Sequence, residues 1–127
     1  MISIWVVLYI IFVHWVADFI FQDEKWALGK SKNFSDLLAH TSLYGLIWIA
    51  AAIPLFPIGI QAVLYGGITF IFHTITDYFT SKSESRKFHN KELGSSIPNL
   101  GAFTYIGADQ VLHYIQLFLT YVLIMML

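Results

Sequence analysis

The chain has 127 residues, of which 57% are hydrophobic and only 12% are charged. A soluble domain of this length could not bury so much apolar surface, so the composition predicts a single-domain integral membrane protein. The chain has no cysteine, which excludes disulfides and thiolate metal sites. It has no basic stripe or recognition motif, which argues against nucleic-acid binding.

Four apolar runs are each long enough to cross about 30 Å of hydrocarbon as helices. We therefore expect an all-α fold, an integral membrane four-helix bundle in which residues 1–127 form one transmembrane domain. No basic segment precedes the first run, which also contains polar side chains, so we expect a retained span and not a cleaved signal peptide. The predicted spans cover residues 2–22, 37–56, 58–79 and 101–125.

Two polar segments, residues 23–36 and 80–99, contain all seven Lys and Arg residues. By the positive-inside rule, both segments are cytoplasmic loops, and the N-terminus and C-terminus lie on the non-cytoplasmic side. Lys25 and Lys82 lie just outside the spans and could extend their ammonium groups inward. Gly66 lies in mid-span beside a second glycine, where small residues let helices approach closely.

A histidine and an aspartate lie four residues apart in three of the four spans. Residues at this spacing share one face of a helix. With His40 at the start of the second span, every span carries at least one such residue, all toward the predicted cytoplasmic ends. The three pairs are His14–Asp18, His73–Asp77 and Asp109–His113.

Three carboxylates gathered at one end of a membrane bundle would repel one another, and each is costly to place in hydrocarbon. Protonated histidines or a shared divalent cation would relieve that repulsion. Imidazole and carboxylate suit zinc, which we favour, and also manganese or iron. The predicted metal ligands are His14, Asp18, His73, Asp77, Asp109 and His113.

Asp18, Asp109 and His40 are the candidate catalytic residues, with one of the two carboxylates acting as general base and not as a ligand. Taken alone, His40 is interpreted more simply as an interfacial histidine. Gln22 and Gln110 are interpreted mainly as packing residues, with a role in orienting the imidazoles as the alternative.

These motifs resemble a family of small bacterial and phage membrane proteins catalogued as a domain of unknown function. The resemblance covers essentially the whole chain and implies a multi-pass protein of the bacterial inner membrane, but no reaction. A looser likeness, to membrane-bound metal-dependent hydrolases, modestly favours hydrolysis. The resemblance rests on His14-x3-Asp18-Phe-x2-Gln22, a following Lys25, His40, His73-x3-Asp77 and Asp109-Gln110-x2-His113.

Three functions follow as hypotheses. The first is metal-dependent hydrolysis of an amphiphilic, phosphate or ester substrate that reaches the site from the bilayer or the cytoplasm. The second is a proton or ion relay, since intramembrane Asp and His are common in such pathways. The third is a non-catalytic membrane scaffold or a phage protein that modifies the host envelope. The expected partners are the lipid bilayer and a lipid or small anionic substrate, and an oligomer is left open.

Overall fold

The computed structural model describes residues 1–127 and is entirely helical, with five α-helices and no strands. This confirms the all-α fold class. A short 3-10 turn that contains Pro54 separates α3 from α4, and Gly101 is the N-cap residue of α5. The helices are α1 (Ile4–Trp15), α2 (Glu24–Gly29), α3 (Phe34–Ala51), α4 (Gly59–His89) and α5 (Ala102–Met125).

The first helix continues into a π-helical turn, Val16–Ile20, before it ends at Phe21. The backbone N–H of Phe21 donates to the carbonyl of Val16 at 3.0 Å, a bond that spans five residues. Such turns re-aim the side chains they contain and are frequent at functional sites. Asp18 lies inside this turn and is buried.

Short polar caps fix the chain between α1 and α3. The side chain of Asp23 accepts from the backbone N–H of Lys25 at 2.8 Å, which begins α2. The side chain of Asn33 accepts from the backbone N–H of Ser35 at 3.0 Å, which begins α3. The first polar segment thus contains a short helix that packs against α3.

Helix α4 ends ten residues beyond the predicted third span, which ends at residue 79. It continues to His89 because the intervening polar sequence contains no glycine or proline to stop it. The backbone leaves the helix at Asn90 and Lys91, and Lys91 has a φ of 59°. The first half of the second polar segment is therefore a helical projection that carries charged side chains.

Helix α4 packs against both α3 and α5, and α1 with its π turn closes on α5 and α3. One end of the interior is an apolar and aromatic cluster that includes Tyr44, Trp48 and Tyr65. The other end is polar, with buried His and Asp side chains from α1, the π turn and helices α3 to α5. The apolar end holds the helices together, and the polar end forms the candidate site.

Helices α4 and α5 are long and apolar enough to cross a membrane, judged by length and composition. The first helix with its π turn, Ile4–Ile20, is apolar but shorter. The outer surfaces of α4 and α5 are also apolar, and Phe72 and Leu119 are among many large apolar side chains exposed there.

Two adjacent glycines of α4, Gly66 and Gly67, differ in their surroundings, which gives a matched test of helix packing. A Cβ at Gly66 would lie 2.7 Å from the backbone nitrogen of Ile49 on α3, whereas one at Gly67 would meet nothing within 4 Å. We expect Gly66→Ala to destabilise the protein by about 1–3 kcal/mol through overpacking. Gly67→Ala should be neutral or stabilising by up to about 1 kcal/mol, because alanine favours helix. Thermal unfolding in detergent measures both, and equal effects of the two substitutions would contradict the close packing.

Candidate metal centre

The polar end of the interior gathers four histidines and three aspartates, each at most 5% exposed. They come from α1, the π turn, α3, α4 and α5. All six predicted metal ligands are brought together, and His40 joins them. The members of this His/Asp cluster are His14, Asp18, His40, His73, Asp77, Asp109 and His113.

Four atoms of the cluster converge as a metal site would require: Asp18 Oδ1, His40 Nε2, His73 Nε2 and Asp77 Oδ2. All four lie within 4.8 Å of one another. His40 Nε2 is 3.1 Å from both Asp18 Oδ1 and His73 Nε2, and 3.4 Å from Asp77 Oδ2. His73 Nε2 is 3.4 Å from Asp18 Oδ1 and 3.6 Å from Asp77 Oδ2. Ligand atoms about 2.0–2.1 Å from a tetrahedral zinc ion would lie about 3.3 Å apart, so the spacing fits one small divalent cation.

The tautomers of His73 and His113 are linked by their 3.2 Å Nδ1···Nδ1 contact. In the neutral pair, one Nδ1 carries a proton and donates a hydrogen bond, which the other Nδ1 accepts. His113 Nε2 faces two carboxylates, Asp77 Oδ1 at 3.1 Å and Asp109 Oδ2 at 3.2 Å, which favours a proton on that nitrogen. His73 then donates through Nδ1, and its Nε2 presents a lone pair to the four-atom site. With this tautomer, His73 would be available as a ligand and His113 would orient it.

A second series of hydrogen bonds holds Asp18 through the oxygen that lies outside the four-atom site, Oδ2. The amide nitrogen of Gln110 donates to Asp18 Oδ2 at 3.2 Å, and its oxygen accepts from His14 Nε2 at 2.7 Å. The Tyr44 hydroxyl then donates to His14 Nδ1 at 2.7 Å. Both ring nitrogens of His14 are therefore engaged away from the four-atom site. Because these hydrogen bonds use Asp18 Oδ2, the other carboxylate oxygen, Oδ1, is left to contribute to the four-atom site.

Asp109 forms a smaller group with Asp18 and His113, whose ligand atoms also lie within 4.8 Å of one another. The Thr80 hydroxyl donates to Asp109 Oδ1 at 2.6 Å, and the Gln110 amide donates to Oδ2 at 3.1 Å. If His113 carries its proton on Nε2, this second group lacks a nitrogen lone pair for a metal. Asp109 then remains a carboxylate beside the metal site and outside its ligand set.

Lys30 closes the polar end of the interior. Its ammonium donates to Asp77 Oδ2 at 2.8 Å, and its side chain is only 15% exposed. Burial opposes the charge, yet the carboxylates of Asp77 and Asp18 hold the pKa of Lys30 above its usual value. Three ionised aspartates and one ammonium leave two negative charges if the imidazoles are neutral. One divalent cation would neutralise them, as a low-dielectric interior demands.

The residues that the structure brings to the four-atom site differ in part from those that the sequence predicts. His40, interpreted alone as interfacial, lies in the four-atom site, and His14, a predicted ligand, has both nitrogens in other hydrogen bonds. Lys30 reaches the carboxylates, whereas Lys25 pairs loosely with Asp36 at 3.8 Å and Lys82 lies over the ring of Tyr78. Sequence reasoning missed Lys30 because only the fold of α2 brings it to Asp77.

Comparison with known proteins places the chain in a family. Residues 6–127 match the family model described as a protein of unknown function, DUF3307. The chain belongs to this DUF3307 family. The match confirms the resemblance to a family catalogued as a domain of unknown function, and the family description names no reaction. No curated protein and no solved structure matches the chain.

A further acidic residue lies at the mouth of the DUF3307 centre. Burial, followed by the negative charge of Asp109, raises the pKa of Glu84 from its usual 4.5 to about 7. Its Oε1 atom is buried and has no hydrogen-bond partner. Glu84 thus changes charge near neutral pH, close to a cluster with an excess of negative charge.

This shift predicts a pH dependence of stability. Between pH 4.5 and about 7 the folded chain holds a proton on Glu84 that the unfolded chain has lost, so stability falls as the pH rises through this window. Glu84→Gln should remove this decline, whereas Glu24→Gln on the exposed face of α2 should keep it. Thermal unfolding at half-unit pH steps measures the difference from the unsubstituted protein. An identical pH profile for Glu84→Gln and the unsubstituted chain would contradict the assignment.

Proposed function

We propose that this DUF3307 protein is a multi-pass protein of the bacterial inner membrane that holds a divalent metal ion in its His/Asp cluster and hydrolyses a phosphate or ester substrate. The observation that carries the proposal is the convergence of Asp18 Oδ1, His40 Nε2, His73 Nε2 and Asp77 Oδ2 within 4.8 Å. These four atoms come from the π turn, α3 and α4, so the site exists only in the folded chain.

The distribution of polarity supports the membrane part of the proposal. The four histidines and three aspartates of the His/Asp cluster are buried, while large apolar side chains such as Ile71, Phe79, Val111 and Leu123 are exposed. A soluble protein rarely exposes a continuous apolar surface of this extent, whereas lipid tails would cover it at no cost. We place α1 with its π turn, α3, the apolar part of α4 and α5 as a four-helix bundle across the bilayer.

The basic segments set the proposed orientation. All seven Lys and Arg residues lie in residues 23–36 and 80–99, which we place in the cytoplasm with both termini outside. The chain has no cysteine, so single introduced cysteines report sidedness directly. We expect Ile58→Cys in intact cells, with the outer membrane opened, to react with a membrane-impermeant maleimide. Ser83→Cys should react only after the inner membrane is permeabilised, and the reverse pattern would overturn the orientation.

The residues present fit a divalent cation with two imidazole and two carboxylate ligands. When bound, such an ion would need a water as a further ligand beside these four, and it would supply Lewis-acid chemistry by lowering the pKa of that water. The chain supplies the rest. Asp109, held by Thr80 and Gln110 outside the four-atom site, is the carboxylate placed to accept a proton as general base. Lys30 offers a cation at the entrance to an anionic group of the substrate.

The test is metal-dependent hydrolysis in proteoliposomes. Purified protein would be stripped of metal, reloaded with zinc or manganese, and given phosphatidate, a phosphate monoester and a carboxylic ester. We expect release of product from one of these classes only with metal, and its loss in Asp18→Asn with helical content unchanged. Asp23→Asn is the matched control, because asparagine still caps α2. Hydrolysis that persists in Asp18→Asn or without metal would overturn the proposal.

A further inference from the structure

The helical extension of α4 presents a basic face. Lys82, Ser85, Arg86 and His89 are spaced at i, i+3, i+4 and i+7, so they lie on one side of the helix. This face exists only because the helix continues past the apolar part of α4. The turn between α2 and α3 brings Lys32 against it.

These side chains line a cavity of about 320 Å³ that contains no acidic and no hydrophobic residue. Its volume lies in the range of small-ligand sites. Two lysines, one arginine, one imidazole and two hydroxyls are donors suited to an oxyanion. We call this the basic pocket, and its lining residues are Ser31, Lys32, Lys82, Ser85, Arg86 and His89.

The positive charge of the basic pocket is not neutralised within the chain. The lysines that form ion pairs with carboxylates all lie outside the basic pocket, and they are Lys25, Lys30 and Lys87. Neither Lys32 nor Arg86 has a carboxylate within 4.0 Å, and the Lys82 ammonium lies 3.5 Å from the centre of the Tyr78 ring. Three unpaired cations around one cavity attract an anion of more than one charge.

The basic pocket adjoins a second cavity, of about 370 Å³, that leads inward. Both cavities share Ser31, Lys32, Ser85 and His89, and the inner one is also lined by Lys30, Ser81 and Glu84. Ser81 is 4% exposed, and its hydroxyl is buried without a hydrogen-bond partner, as is Glu84 Oε1. Unpartnered buried polar atoms in a polar cavity call for a ligand or water. Lys30, which lines the inner cavity and contacts Asp77, lies between this cavity and the His/Asp cluster.

We infer that the basic pocket binds the phosphate group of the substrate at the cytoplasmic entrance, while the His/Asp cluster acts on a bond further in. The pocket stands on its own geometry. The identification of its ligand as substrate rests on the proposed hydrolytic function. A soluble phosphate ester and a phospholipid headgroup present the same dianionic chemistry to these donors.

Binding is tested on the full chain with two probes. Inorganic phosphate would be titrated against protein in a neutral detergent, and nanodiscs containing phosphatidate would be compared with nanodiscs of phosphatidylcholine alone. The test variant is Lys32→Ala/Arg86→Ala, and the control is Lys25→Ala/Lys91→Ala, which removes the same charge from the other exposed basic positions. Metal content is measured on every sample.

We expect the test variant to weaken binding at least about tenfold relative to the control, with metal content unchanged. Saturable binding of free phosphate identifies a soluble phosphate source. A preference for phosphatidate nanodiscs, lost in the test variant and without free-phosphate binding, identifies a lipid source. Equal binding by test and control variants, or no binding of either probe to the unsubstituted protein, would overturn the pocket. If the unsubstituted protein contains no metal but still binds phosphate in the basic pocket, the proposed function would be overturned and the pocket assignment would hold.

Discussion

Replacing His73 with Phe is expected to lower the bound divalent metal from about one equivalent to less than about 0.1 equivalent per chain. His73 lies in the four-atom site, with its Nε2 3.1 Å from that of His40. Its ring is stacked on Tyr44 at 3.8 Å, a contact that phenylalanine preserves. The substitution therefore removes both nitrogens while the aromatic packing is kept.

The control for this prediction is His89→Phe, which changes an exposed histidine of the basic pocket and should retain the metal. Gln110→Ala is a graded comparison. Gln110 donates to Asp18 but supplies no ligand atom to the four-atom site, so we expect metal affinity to fall about 10–100-fold without being lost. Elemental analysis and competition with a metal indicator measure these effects. Full metal content in His73→Phe would contradict the ligand assignment.

Replacing Lys30 with Met should destabilise the metal-free protein by about 3–5 kcal/mol, because it leaves the buried carboxylate of Asp77 without its cation. With metal bound, a divalent charge neutralises the same carboxylate, so the loss should be much smaller. Thermal unfolding with a chelator and with saturating zinc separates the two states.

The matched control for Lys30 is Lys25→Met. Lys25 pairs with Asp36 at 3.8 Å, and its side chain is 78% exposed, so this exposed ion pair contributes at most about 1 kcal/mol. We expect Lys25→Met to change stability by no more than that, with or without metal. If Lys30→Met destabilised the protein equally in both states, a bound metal would not be neutralising the carboxylate of Asp77, and the prediction would be wrong.

The all-helical fold and the gathering of the cluster were accessible from sequence, because both follow from local patterns. Apolar runs define helices, and the four-residue spacing of His73 and Asp77 places both on one face. The polar ends of the runs also placed His40 near the pairs. These inferences need no knowledge of which helix contacts which.

Other features depend on tertiary contacts or on subtle backbone geometry. Lys30 and Asp77 are 47 residues apart, and nothing local to either residue indicates their ion pair. The difference between His14 and His73 arises from hydrogen-bond partners on other helices, Tyr44 and Gln110 for the first. Helix α4 reaches His89 through polar residues that a hydropathy pattern assigns to a loop, so the helical arrangement of the basic pocket could not be predicted from it.

The most direct measurement is X-ray absorption at the metal edge of the purified, zinc-loaded protein, combined with elemental analysis. We expect about one equivalent of metal with five nitrogen or oxygen ligands at about 2.0–2.2 Å, of which two are imidazoles and one is a water. The Asp18→Asn/Asp77→Asn variant should lose this metal while it remains folded and monodisperse. A folded protein that binds no metal, or that binds it equally in the double variant, would contradict the metal centre. The cluster would then be a protonated His–Asp network.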